Sequence, residues 1–425
     1  MADQQAPKQA LDLIILGAGI AGMGAAWKAR EQGLNFQIVE AGPSAGGVLQ
    51  SQQNQGHTLD FGANSCATND TYLKFLEFLG LSDELMIATA ASKKRYLWQS
   101  TGIASVGGLK DILLAPWLSR GGKWRLFTEP FRKKGPSSEE SVAAFLTRRI
   151  GAEATAKLVD PIMGGIYAGD ISKLSALTVM EKFKAGEQRY GSLLRTMFKN
   201  PPKPRKISNL RGGMGAIGKA FERNFEGELK LGTSVVSVQR IDGLWQVETS
   251  AGEHIAAKKV VSAMPSYVLA SVLKEASCSA HLGELEYARL RVDYVEVSKG
   301  DLPVEGFGIL VPSLLGKHLK GVLMGSVAFD GRAPEGKHTL TVFSNATSEQ
   351  VVLEELEELL GTAEVKVLAT KNWSKAIPQY QLGYPSWKQE LMDRLPEGLL
   401  LCGNYLGKVG VADVLNSGYD LNLRP

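Results

Sequence analysis

Residues 13–40, LIILGAGIAGMGAAWKAREQGLNFQIVE, constrain the fold more than any other stretch of the chain. Four apolar residues, Leu13 to Leu16, run into Gly17-Ala18-Gly19-Ile20-Ala21-Gly22. A helix-like segment follows, and a second apolar run closes on Glu40. Strand, glycine turn, helix and a strand ending in a carboxylate are what a bound dinucleotide requires. Gly17 permits the tight turn, Gly19 lets the backbone approach a pyrophosphate, and Gly22 lets the helix pack closely on the strand. The diphosphate is expected on the helix N-terminus, where free N–H groups and the dipole favour negative charge, so the whole turn from Gly17 to Gly22 is a candidate contact. Glu40, about 20 residues on, is placed to accept hydrogen bonds from a ribose hydroxyl.

The residues that follow discriminate between dinucleotides. A second glycine turn, Ala41-Gly42-Pro43-Ser44-Ala45-Gly46-Gly47, has no purpose in a nicotinamide-only site, whereas an extended FAD requires the chain to pass it twice. HTLDFGANS (57–65) adds a strand-like run closing on Gly62-Ala63, placed to meet the flavin end. FAD is therefore favoured over NAD, with Gly46, Gly47, Gly62 and Ala63 as further candidate contacts.

With 425 residues the chain is long enough for two to three domains. No segment approaches the roughly 18 uninterrupted apolar residues of a membrane span. MADQQAPKQA at the N-terminus lacks the charged start and apolar core of a secretory signal. Cys66, Cys278 and Cys402 are too few and too scattered for a disulfide framework or a zinc site, and the histidines share no ligand spacing, so no metal is expected. A reducing, cytoplasmic setting follows. Cys402 reads as a small buried hydrophobe, with covalent flavin attachment as the alternative.

The formal net charge of +4 is unevenly spread. Between Lys93 and Lys134, ten basic residues face only Asp111 and Glu129, with Trp98, Trp117, Trp124, Leu113, Leu114, Leu118, Leu126 and Phe127 interleaved. Cations mixed with indoles and aliphatics suit a lipid headgroup boundary, on the inner face of a membrane, or an anionic ligand. An amphipathic helix pair would show the same mixture. No nucleic-acid motif accompanies the charge.

Helices are expected around 110–131, 138–150 (opened by Ser137-Ser138-Glu139-Glu140 as a cap) and 177–198. Asn200-Pro-Pro-Lys-Pro204 marks a boundary. NLRGGMGAIG (209–218) is a second glycine-rich entry to a helix, and short alternating runs at 229–231, 235–240, 245–249 and 259–264 predict a β-meander. Strands at 292–297, 321–329 and 338–343 and an acidic helix at 349–360 precede an apolar strand at 398–402 and a last glycine turn at 403–411. Nucleotide-type turns at both ends predict an α/β and α+β fold. A Rossmann-type FAD domain is assembled from 8–90, 207–268 and 388–425. A helical, membrane-associating or substrate-entry insertion occupies 91–206, and a mixed sheet and helix substrate domain occupies 269–387.

Several segments resemble the FAD-dependent protoporphyrinogen oxidases of haem biosynthesis, within the wider amine-oxidase-like flavoproteins. Besides the glycine turns they are FGANS (61–65), KKRYLW (93–98), DPIMGGIYAGDISKLSA (160–176), NLRGGMGAIGKAF (209–221), VVSAMP (260–265), WSKAIPQYQLGY (373–384) and LCGNYLGKVGVADVLNSG (401–418). DPIMGGIYAGD and KAIPQY are the most selective. The resemblance implies that Val235 meets the adenine edge through its backbone, that Val409-Gly410-Val411 form the return loop beside the flavin, and that Arg95 pairs with a propionate of the tetrapyrrole. It also matches the basic, tryptophan-bearing stretch to a membrane-associating part. Val48 stands where the family usually has a basic or large residue, and Lys408 replaces a glycine of the last turn. The activity implied is oxidation of protoporphyrinogen IX to protoporphyrin IX over three rounds, with the flavin taking hydride, oxygen as acceptor and no side-chain base. Coproporphyrinogen III oxidation is the near alternative. A flavin amine oxidase, a carotenoid-type desaturase and a non-catalytic binding protein like the GDP-dissociation inhibitors are more distant ones. A homodimer is left open.

Overall fold

Leu13, Ile14, Ile15 and Leu16 are all fully buried, and they alternate between two hydrophobic clusters on opposite sides of one sheet. A continuous apolar run of this kind marks a strand covered on both faces, as parallel sheets are. The computed structural model describes residues 10–201, 204–361 and 364–424. Residues 1–9, read above as lacking a secretory signal, lie outside that range, as do Pro202 and Lys203 of the proline break. So do the side chains of Lys110 and Leu113 in the basic stretch.

The first sheet runs, by neighbour, Leu229–Lys230, Phe36–Val39, Leu11–Leu16 and His254–Ser262, all parallel. Leu399–Leu401 joins His254–Ser262 in parallel, and Leu244–Thr249 and Val235–Ile241 extend the sheet as an antiparallel meander. One cluster packs helices Ile20–Glu31, Asp70–Phe78, Ala216–Asn224 and Val411–Tyr419 on one face; the other fills the meander side around Trp245 and Tyr405. Residues from the beginning, middle and end of the chain thus share a single sheet, and the discontinuous α/β assembly read from the two terminal glycine turns is the fold observed. The last strand of the meander begins earlier than the sequence suggests, at His254, because its first half pairs with Leu244–Thr249 and only its second half with Leu11–Leu16.

A second sheet has the order Lys366–Pro378, Tyr287–Ser298, Lys337–Ser344, Leu319–Met324, Gly308–Leu310, Arg95–Gln99 and Gly102–Ser105. Arg95–Gln99 pairs in parallel with Gly308–Leu310, so residues 95–105, placed by sequence in the helical stretch, belong to this sheet. The strand expected over 321–329 ends at Met324. Gly325–Ala328 turns into a short helix whose Ser326 hydroxyl accepts the Thr339 N–H.

The expected helices are there but shorter. Pro116 lies in the break between Leu109–Leu114 and Arg120–Phe127, and Gly191, at φ +75°, separates Glu181–Tyr190 from Leu193–Lys199. The cap of Val142–Ile150 is Ser141, not the serines at 137–138. Glu140 instead pairs with Arg148 and Lys184, and Glu129 with the fully buried Arg149. Trp98 and Trp117 are core residues, buried in separate clusters, whereas Trp124 is 68% exposed.

Candidate functional site

Two glycine turns distant in sequence meet face to face. Gly46 donates its N–H to the Ala18 carbonyl at 2.9 Å and forms a parallel bridge with Gly19. Gly17 holds φ +97°, a conformation a side chain resists. A Cβ on Gly22 would stand 1.9 Å from the Gly17 carbonyl oxygen, so helix and turn approach as closely as backbone allows. Gly19 differs, because a Cβ there meets no protein atom within 4 Å: its open side faces the cleft. Helix Ile20–Glu31 has no side-chain cap, which leaves the N–H groups of Ile20 and Ala21 at its start for a ligand.

Glu40 closes this cleft. Its carboxylate accepts the Ala18 N–H at 2.7 Å and the Gly42 N–H at 2.8 Å, which fixes it over the turn. Thr233 donates to the Glu40 carbonyl at 2.9 Å and brings Val235, two residues on, to the same edge. An uncapped helix start, a cradle open at Gly19 and a carboxylate held beside it fit an adenine dinucleotide.

From Gly47 the path leads to a second space. A Cβ on Gly62 would lie 1.9 Å from the Val48 carbonyl oxygen, so the 61–65 segment is pressed against the end of the second glycine turn. Val48, Gly62, Ala63 and Val409 then line a cavity of about 680 Å³, well inside the roughly 300–1,000 Å³ typical of ligand sites. Its other walls are the second sheet and helix Asp160–Tyr167, packed so that a Cβ on Gly165 would come within 2.9 Å of Leu310. Ala376 and Ile377 of the KAIPQY segment complete the lining. The two most selective motifs of the sequence are therefore both cavity wall.

Arg95 lines this cavity, exposed at the start of its strand, with its guanidinium 5.3 Å from the Phe307 ring centre. Gly410 and Val411 do not line it. They begin helix Val411–Tyr419, which packs so tightly on Ile20–Glu31 that a Cβ on Gly418 would strike the Ala21 carbonyl. Lys408 is exposed, and Cys402 is fully buried, its thiol pushed up to about 12 by desolvation, which is the small-hydrophobe reading.

Sequence reasoning missed four residues here. Asp60 is buried and accepts from Ser51, Asn209, the Met214 N–H and Arg332, joining the 57–65 segment to the 209–218 turn and to the second sheet. Asn64 takes part through its carbonyl, which accepts from Asn209. Gln379 ties the KAIPQY strand to the end of helix Asp160–Tyr167. Lys320 is a second cation on the cavity wall. No pattern singles out Asp60, Asn64 or Gln379, because each depends on a partner more than a hundred residues away, and Lys320 depends on its strand's register with the next.

Residues 20–420 match the family described as flavin containing amine oxidoreductase. The chain belongs to that family. It is accordingly an FAD-dependent oxidoreductase. Among curated relatives in the family, a chloroplastic protoporphyrinogen oxidase of Nicotiana tabacum is 26% identical over 98% of this chain and 85% of its own length. The coproporphyrinogen III oxidase of Bacillus subtilis is 25% identical over 96% of each chain. The fold is shared with the crystal structure of a provisionally assigned protoporphyrinogen oxidase of Exiguobacterium (TM-score 0.83, 23% identity, 98% of each chain). It is also shared with a UDP-galactopyranose mutase (TM-score 0.75, 17% identity, 96% of this chain and 94% of that one). One frame thus serves different chemistries, and what this chain does must be read from its cavity.

Proposed function

We propose that the protein oxidises a porphyrinogen in haem biosynthesis: protoporphyrinogen IX to protoporphyrin IX, with molecular oxygen as the final acceptor. Each round would remove two hydrogens and reduce one oxygen molecule to hydrogen peroxide, and three rounds complete the aromatic ring. The observation that carries the reading is the composition of the cavity wall. It is predominantly apolar, holds no Asp or Glu, and has Arg95 and Lys320 as its charged side chains. Neither makes an ion pair among the described residues. An apolar macrocycle edged with carboxylates satisfies both features at once. A neutral amine or a long polyene would offer neither cation a partner.

Bound FAD supplies the hydride acceptor. Residues 17–22 and Glu40 would hold its diphosphate and ribose, Val235 its adenine edge, and Gly62, Ala63 and Val409 would bound the ring end. Arg95 would hold a substrate carboxylate and so fix which ring edge faces that end. Helix Asp160–Tyr167 and the sheet wall the rest of the cavity. No lining side chain is assigned as a base. Coproporphyrinogen III is the second reading, favoured by the second cation.

The test is direct. FAD-loaded protein given each porphyrinogen under oxygen should develop the red fluorescence of the porphyrin; absence of fluorescence from both would remove the proposal.

Membrane contact belongs to the same reading. No helix among the described residues is long and apolar enough to cross a bilayer. Trp124, Phe127, Phe131 and Phe198 are nevertheless 65–82% exposed, on elements joined where the Glu129 carboxylate accepts the Leu193 N–H. Lys123, Arg132, Lys133 and Lys199 flank them. Exposed aromatics with cations beside them in sequence suit the surface of an anionic bilayer. Co-sedimentation with anionic but not neutral vesicles, weakened by Phe127→Ser with Phe131→Ser, is the expected result.

A further inference from the structure

The strand Leu319–Met324 carries an irregularity whose effect is confined to one side chain. Its register with Lys337–Ser344 slips between Leu319 and Gly321. Leu319, Val322 and Met324 belong to the hydrophobic cluster on the far side of the sheet, although Val322 also borders the cavity, and Leu323 and Gly321 line it. Regular alternation from Val322 back through Gly321 would return Lys320 to the far side. The bulge adds the residue that keeps Leu319 in the core and leaves Lys320 on the cavity wall. Bulges of this kind re-aim a single side chain beside functional sites.

Lys320 is half-buried, and its ammonium group has no hydrogen-bond or ion-pair partner among the described residues. Its neighbour Lys317 is by contrast paired with Glu358. Arg95 lies level with Gly308, and Gly308 with Leu323, three residues along from Lys320. Two strand spacings sideways and about three residue rises along the strand separate the two backbones by about 13 Å. Arg95 therefore stands at one edge of the sheet wall, and Lys320 two strands further in, towards the other end of its own strand.

We propose that Lys320 is a second carboxylate site, and that with Arg95 it selects a tetrapyrrole carrying carboxylates on opposite edges of the ring. The inference rests on the porphyrinogen reading and shifts its preference to the second substrate, because coproporphyrinogen III carries propionates around the whole macrocycle, whereas protoporphyrinogen IX carries them on one edge. The bulge is then a specificity device, built to bring one charge to the far edge of the substrate.

The experiment compares wild type, Lys320→Gln and Lys320→Arg, each loaded with FAD. It measures kcat/KM for both porphyrinogens and, separately, the binding of coproporphyrin III and protoporphyrin IX by absorbance titration. Lys320→Gln should lower the ratio of coproporphyrinogen to protoporphyrinogen kcat/KM at least tenfold, through KM, and weaken coproporphyrin III binding in the same proportion. Lys320→Arg should restore both, and flavin content should be equal in all three. An unchanged ratio, or an equal loss for both substrates, overturns the proposal. If the wild type oxidises neither porphyrinogen, the functional reading fails on its own, and the two titrations still decide whether Lys320 discriminates by carboxylate number.

Discussion

Gln379 donates its Nε2–H to the Tyr167 carbonyl across 2.9 Å, joining the KAIPQY strand to the last turn of the DPIMGGIY helix. The two segments are more than two hundred residues apart, and this bond holds two walls of the cavity at a fixed angle. The same amide also reaches the Ile377 carbonyl at 3.1 Å, within a largely buried site. Gln379→Leu keeps the volume but strands those carbonyls, at a cost of about 1–3 kcal/mol. Thermal unfolding of the FAD-loaded variant should fall measurably below wild type, and an unchanged midpoint would show that the walls are held by packing alone.

Gly19 separates a structural from a functional use of the glycine turn. Substitution of Gly22 must break the turn, since any Cβ collides with backbone, but Gly19 has extended backbone and open space where a side chain would go. Gly19→Val is therefore expected to fold normally and to purify colourless, its side chain occupying the room meant for the diphosphate. A folded variant with full flavin absorbance would move the diphosphate elsewhere.

What the sequence reveals by itself follows from the range of the interactions. The strand–turn–helix unit and the second glycine turn are local patterns, so Gly17 to Gly22, Glu40, Gly46 and Gly47 were readable as one constellation. The structure brings them together through the bond from Gly46 to Ala18. Arg95 was found only by family resemblance, since a cation in a basic run carries no mark of its surroundings. Trp98 and Trp117 misled for the same reason: in sequence they sit among lysines, and in the fold they are core. Lys320 was unreadable because its placement depends on a one-residue slip against a neighbouring strand. Short-range periodicity carries no information about that slip.

Arg95 has its guanidinium against the face of Phe307 and no carboxylate partner among the described residues. A charge-assisted bond to a substrate carboxylate is worth about 1.5–3 kcal/mol, or about 10–100-fold in apparent affinity. Arg95→Ala should raise KM for the porphyrinogen by that factor with flavin content intact. Wild-type kinetics in this variant would remove Arg95 from the site.

The helical segment should show an acid-sensitive limb. Burial opposes ionisation of Glu140, but hydrogen bonds from Arg148 and Lys184 outweigh it and hold its pKa below the ordinary 4.5. Burial is likewise outweighed at Glu187, chiefly by Arg148. Groups whose folded pKa is depressed stabilise the fold fully above their unfolded value, and that contribution is lost as pH falls through the folded one. Stability should thus decline below about pH 5. Arg148→Met should lower the neutral-pH midpoint and flatten the decline. A parallel acid limb in the variant would locate the sensitivity in other carboxylates.

Asp60 and Arg332 link the glycine-turn side of the molecule to the loop that enters the second sheet through a buried ion pair, with Ser51, Asn209 and the Met214 N–H completing the carboxylate's shell. Removing one charge of a buried pair leaves the other uncompensated, at a cost of about 3–5 kcal/mol, whereas replacing both together is far milder. Asp60→Asn alone should therefore destabilise strongly. Adding Arg332→Met should recover part of the loss, although it removes a further buried side chain, because the orphaned guanidinium goes with it. The double-mutant cycle isolates this interaction, the two side chains being in direct contact. Simple additivity of the two single losses would mean that the pair contributes shape and not charge to the junction between the sheets.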